Sequence, residues 1–149
     1  MIEPAVHELG PGIAEACAGY PEIAAAYLFG SRARGDARPD SDLDVGLVLR
    51  RRGETVEEHH RWLRDLAGRL ESLCPGSLVD VVLLEPQGPI FAHRVLCEGV
   101  RVYEADRARR VDFESDTISR ALDLLPWHER LARERLRGYR RWLRGQTSA

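Results

Sequence analysis

The sequence predicts an α/β (α+β) fold: a small β-sheet flanked by helices, with a helical segment at the C-terminus. Three observations carry this. Apolar runs of strand length stand at 23–29, 42–49 and 78–84. The segments around them repeat apolar residues at spacings of three and four, the mark of amphipathic helices. Gly- and Pro-rich turns punctuate the boundaries.

Residues 3–18 place Val6, Leu9, Ile13, Ala16 and Cys17 on one helical stripe. Gly10-Pro11-Gly12 interrupts it, which predicts two short pieces or a helix restarting at Pro11. Gly19-Tyr20-Pro21 ends the segment. Ile23 to Phe29 is apolar throughout, as a central strand requires, and 42–49 is the second strand. Arg50-Arg51-Arg52-Gly53 reads as a solvated turn. Thr55 and Glu58 form a capping-box pattern that opens a helix running to about Leu73. Trp62, Leu63, Leu66, Leu70 and Leu73 are its sheet-facing positions. His59 and His60, adjacent in that helix, diverge too far to hold a metal together. Cys74-Pro75-Gly76 stops the helix, and 78–84 is the third strand. A short helix at 89–98, with Phe91, Val95 and Leu96 inward, leads to an edge strand at 99–103. From Asp106 a charged helix follows, with Val111, Ile118, Leu122 and Leu125 as its apolar stripe. Pro126 is expected to kink it or to begin a new helix over 127–144, and 145–149 to fray. The last 40 or so residues are expected to pack one face on the body and to leave aromatic surface for a partner.

A chain of 149 residues makes one domain, with a core over about 20–105 and a helical segment over about 106–144. A formal charge of −2 argues against a protein that grips nucleic acid by net basicity. All 22 basic residues are Arg, a bias that a GC-rich genome explains. Cys17, Cys74 and Cys97 form no Cys-x-x-Cys pair, so each is read as a small hydrophobe rather than a disulfide or zinc ligand. The N-terminus carries an acid where a secretion signal would be basic, and no apolar run approaches ~18 residues. A soluble cytoplasmic protein with no membrane partner is the expectation.

The chemistry gathers between the first two strands. Gly30-Ser31 is followed, after ten residues, by Asp42-Leu43-Asp44. Side chains alternate along a strand, so Asp42 and Asp44 project from one face. Carboxylates that close repel unless a cation lies between them, and hard Mg²⁺ suits such oxygen ligands and shares phosphate oxygens with them. The Gly-Ser turn offers backbone N–H groups and a hydroxyl to a triphosphate. Asp80 is the one acid in the third apolar run, where burial would cost several kcal/mol unless it were paired or metal-bound.

These residues, in the stretch GSRARGDARPDSDLDVGLVL, resemble the signature of the polymerase β-like nucleotidyltransferase superfamily and its minimal MntA-type branch. The likeness covers about 20–105. It implies a small mixed sheet of the nucleotidyltransferase type. It implies that Asp42, Asp44 and Asp80 are catalytic and hold Mg²⁺, as two ions about 4 Å apart. Gly30, Ser31, Arg32 and Arg34 would bind the nucleotide, the two arginines by neutralising phosphate charge. The implied reaction transfers AMP from ATP to a tyrosine of a small helical HEPN-type ribonuclease, silencing it, so that this chain is the antitoxin of the pair. Two alternatives stand beside it: transfer to a small molecule, as in aminoglycoside nucleotidyltransferases, and a non-catalytic toxin-binding module. An oligomer is compatible with any of the three.

Overall fold

The structure, a computed structural model, describes residues 6–146. Helix α1 (Val6–Ala18) leads into strand β1 (Ile23–Phe29), the short helix α2 (Ser31–Arg34) and strand β2 (Leu43–Leu49). Helix α3 (Val56–Glu71) crosses to β3 (Val79–Leu83). A 3-10 turn (Glu85–Gln87), helix α4 (Pro89–Glu98), strand β4 (Val100–Glu104) and helix α5 (Arg107–Gln146) complete the chain. The four strands lie in the order β3-β2-β1-β4. Strand β1 is antiparallel to both neighbours, and β2 is parallel to β3. A parallel pair needs a long crossover, which α3 supplies.

Strand β1 is central and buried on both faces, as its unbroken apolar run requires. On one face, Leu43, Val45, Leu47 and Leu83 pack with Leu9, Ile13 and Cys17 of α1 and Leu63, Leu66 and Leu70 of α3. On the other, Tyr27, Val48 and Leu84 pack with Ala92, Val95 and Phe113 from α4 and α5. Fully buried side chains such as Ile13, Leu66 and Leu70 each contribute about 1.5–3 kcal/mol of transfer free energy. The cap of α3 forms as its sequence predicts, with the Thr55 N–H donating to Glu58 Oε2 at 2.8 Å.

Several expectations are corrected. Helix α1 runs unbroken through Pro11, because Leu9, Ile13 and Cys17 are all buried and packing outweighs the lost backbone bond; residues 3–5 of the expected helix lie outside the described residues. Helix α5 is likewise one helix through Pro126, with Gly145 and Gln146 inside it, and 147–149 lie outside the described residues. Its buried positions are Arg109, Arg110, Phe113, Thr117 and Ala121, whereas Val111, Ile118 and Leu122 are exposed. The helix turns a partly charged face inward because that face is satisfied there: Arg109 Nε donates to the Leu49 carbonyl at 2.9 Å, Arg110 Nη1 meets Glu114 at 2.7 Å, and the Tyr27 hydroxyl donates to Glu114 at 2.6 Å. Beyond Ala121 almost nothing of α5 is covered, so only its first half packs on the body. Cys17 is the buried hydrophobe expected, its thiol pushed up to about 12 by burial, but Cys97 is exposed.

Candidate active site

The acids assemble where β1 ends and β2 and β3 begin. Strand register sets Asp44 directly opposite Asp80 across the parallel pair. Alternation then decides the face. Leu43, Val45 and Leu47 of β2, and Val79, Val81 and Leu83 of β3, belong to the α1–α3 core, so Asp44 and Asp80 both project from the opposite face. Asp42 stands one residue ahead of β2, exposed. Burial, then the carboxylates of Asp80 and Asp42, push the Asp44 carboxyl above the usual aspartate range, and the guanidiniums of Arg34 and Arg32 offset this in part.

One premise of the sequence reading is corrected. Strand β3 is an edge strand and Asp80 is exposed, so no desolvation penalty demands a partner for it. What places Asp80 in the site is register and charge rather than burial. Among the described residues, no three His, Cys, Asp or Glu side chains close on a single metal position. The donor set still fits a hard divalent cation: three carboxylates, all oxygen, with a mutual repulsion that a cation relieves.

Gly30 lies against Asp44. Its φ of 73° and ψ of −158° belong to a region that L side chains rarely enter. A Cβ there would come within 2.2 Å of Asp44 Oδ2. Glycine is therefore required twice, for the turn and for the approach of the backbone to the acid. Ser31, half-buried, opens α2 immediately after it. Arg34 is exposed and meets Asp36 at 3.4 Å and Glu98 at 3.7 Å, a surface cation within the field of Asp44.

Arg32 departs from its expected place as a phosphate contact. It is buried, with 4% of its surface exposed. Its Nε donates to the Asp42 carbonyl at 3.2 Å, and its Nη2 to the Ser41 carbonyl at 2.6 Å and to Ser77 Oγ at 2.8 Å. Sequence reasoning missed Ser77 altogether; its place three residues before Asp80 was the one available signal. Ser41 holds the turn itself, accepting the Arg38 N–H at 2.7 Å. His59 is bound up with Glu54 at 2.6 Å and with the Trp62 indole N–H at 2.8 Å, as a structural histidine. A cleft of about 140 Å³ lined by Arg52, Glu85, Arg109 and Phe113 lies past the other end of β3, away from the acids.

Comparison with known proteins agrees with this fold. The family model for polymerase beta, nucleotidyltransferase matches residues 12–108. No curated protein matches the sequence. Among solved structures, a toxin-antitoxin with AMP-PNP is 23% identical at a TM-score of 0.67, over 85% of this chain and 98% of that one. The toxin-antitoxin MntA-HepT is 22% identical at 0.62, over 86% and 97%. A tri-AMPylated Shewanella oneidensis HEPN toxin in complex with MNT antitoxin matches at 22% and 0.62, over 86% and 96%. At these identities the structural likeness is one of fold. The family match spans more than half of the chain and includes the turn and all three acids, and so the chain belongs to the polymerase β nucleotidyltransferase family.

Proposed function

We propose that this chain is a magnesium-dependent protein adenylyltransferase, moving AMP from ATP to a tyrosine hydroxyl of a small helical HEPN-type toxin and acting as its antitoxin. The observation that carries the reading is the register of Asp44 against Asp80 on one sheet face, with Gly30 pressed against the Asp44 carboxylate. Asp42, Asp44 and Asp80 are the residues that would hold Mg²⁺, which neutralises triphosphate charge and acidifies an attacking hydroxyl. The backbone at Gly30 and the Ser31 hydroxyl receive the β- and γ-phosphates, and the exposed Arg34 adds a positive charge. The acceptor oxygen bonds to the α-phosphorus, the bond to the bridging oxygen breaks, and pyrophosphate leaves. The hydroxyl proton passes to the Asp80 carboxylate.

Two features support a protein acceptor. The related complexes hold AMP-PNP in one case and a tri-AMPylated HEPN toxin in another. Within this chain, the distal half of α5 carries Trp127, Leu131, Leu136, Tyr139 and Trp142, each at least half exposed, an apolar surface of the kind that marks a protein interface. The test is to incubate the purified protein with each α-labelled nucleoside triphosphate, Mg²⁺ and a small helical HEPN-type protein encoded beside it, or an aminoglycoside in its place. Label from ATP should appear on a partner tyrosine and vanish with EDTA. Label on an aminoglycoside instead would move the acceptor to a small molecule. Partner binding with no transfer of any nucleotide would leave only a binding module.

A further inference from the structure

We infer that Arg32 is a positioning residue: it ties the segment carrying Asp42 to the segment carrying Asp80, and so sets how well the three acids hold a divalent cation. This rests on the reading of the acids as a metal site. A guanidinium is a rigid fork of five donors with no acceptor, suited to binding several carbonyls at fixed angles. Among the described residues, that fork reaches Ser41, Asp42 and Ser77. Through the carbonyls of Ser41 and Asp42 it grips the loop that delivers Asp42, at 2.6 and 3.2 Å. Through Ser77 Oγ, at 2.8 Å, it grips the turn that launches β3. Ser77 passes the link on, its hydroxyl donating to the Pro39 carbonyl at 3.5 Å.

The backbone closes the same joint from the other side, the Leu43 N–H donating to the Leu78 carbonyl at 2.8 Å. Asp42 is thus held at its own carbonyl and at the next residue's N–H. Asp80 lies three residues past Ser77 and two past Leu78. Arg32 itself starts from α2, directly after the Gly30-Ser31 turn, so one buried side chain joins all three pieces of the site. At 4% exposure its guanidinium has little surface to offer a triphosphate, which leaves that task to Arg34.

The experiment titrates Mn²⁺ alone against the full-length protein, following the free aquo ion by electron paramagnetic resonance, with thermal melts in parallel. Wild type is compared with Arg32→Lys, Ser77→Ala and the double variant. Both single variants should weaken Mn²⁺ by about tenfold or more, the usual effect of removing an outer hydrogen-bond partner of a ligand set, while melting cooperatively. Because both break one link, the double variant should lose little beyond the worse single. Should Arg32→Lys fail to fold, Ser77→Ala, which removes a single bond of the brace, decides the matter. Folded variants that bind Mn²⁺ as wild type does would overturn the inference while sparing the metal site. A wild type that takes up no Mn²⁺ would overturn both.

Discussion

Asp44 and Asp80 face each other across the parallel β2–β3 pair, and the structure raises the Asp44 carboxyl above its ordinary 3.8, through burial first and then the charges of Asp80 and Asp42. An acid raised in the fold costs stability when ionised. The cost is absent below 3.8, where folded and unfolded chains both hold the proton, and develops as pH climbs through the raised folded value. Like charges opposed across strands destabilise by roughly 0.2–1 kcal/mol. Asp44→Asn should therefore melt about 1–3 °C higher than wild type in EDTA at pH 7–8, with the difference closing as pH falls to 3.8. Thermal melts across that range check it, and a variant less stable than wild type at neutral pH would contradict it.

Magnesium should reverse that ranking. A ligand bound only to the folded state adds about 1.4 kcal/mol at ten times its dissociation constant. Wild type should gain melting temperature on adding Mg²⁺ and lose it again with EDTA. Asp44→Asn, lacking a central carboxylate, should respond weakly. Equal responses from both would place the cation elsewhere.

Asp80→Asn separates chemistry from architecture. The side chain is exposed on an edge strand, so the variant's stability should stay within about 1 kcal/mol of wild type, any change being the small gain from relieving its repulsion with Asp44. Transfer of labelled AMP should nevertheless fall by orders of magnitude. Loss of stability with near-normal transfer would mean that Asp80 only braces the fold.

Gly30→Ala should fail for steric reasons. Its Cβ would reach to 2.2 Å from Asp44 Oδ2, at a positive φ. A backbone held in such a region costs about 1–3 kcal/mol, and relief can come only by moving Asp44. Both melting temperature and transfer should drop. An active, fully stable variant would show that the turn has another conformation to use.

Truncation should cut α5 into two functional halves. Deleting 126–149 removes side chains that are exposed throughout the described part of that stretch, so the body should melt near the wild-type temperature while partner binding is lost. Deleting everything after Glu104 removes the buried Arg109, Phe113, Thr117 and Ala121 and should unfold the core. Circular dichroism and pull-down of the helical partner distinguish the two. A partner that still binds the shorter deletion would assign docking to the body.

Much of this protein was legible without coordinates, because the signals are local. The Gly30-Ser31 turn, the Asp42–Asp44 alternation, the Thr55–Glu58 cap and the apolar strand runs each depend on residues a few positions apart, whose geometry the backbone dictates. The family resemblance carried by those residues is supported by the family match. What remained hidden depends on contacts distant in sequence. Asp80 reads as a buried strand acid until strand order makes β3 an edge. Arg32 reads as a phosphate contact until Ser77, 45 residues away, meets it at 2.8 Å. Hydropathy chose Val111, Ile118 and Leu122 for the inner face of α5, but its arginines find partners on other segments that make burial tolerable. Local pattern decides which elements form and which way their side chains alternate. Only tertiary pairing decides which of those side chains lose water, and with whom they share their charge.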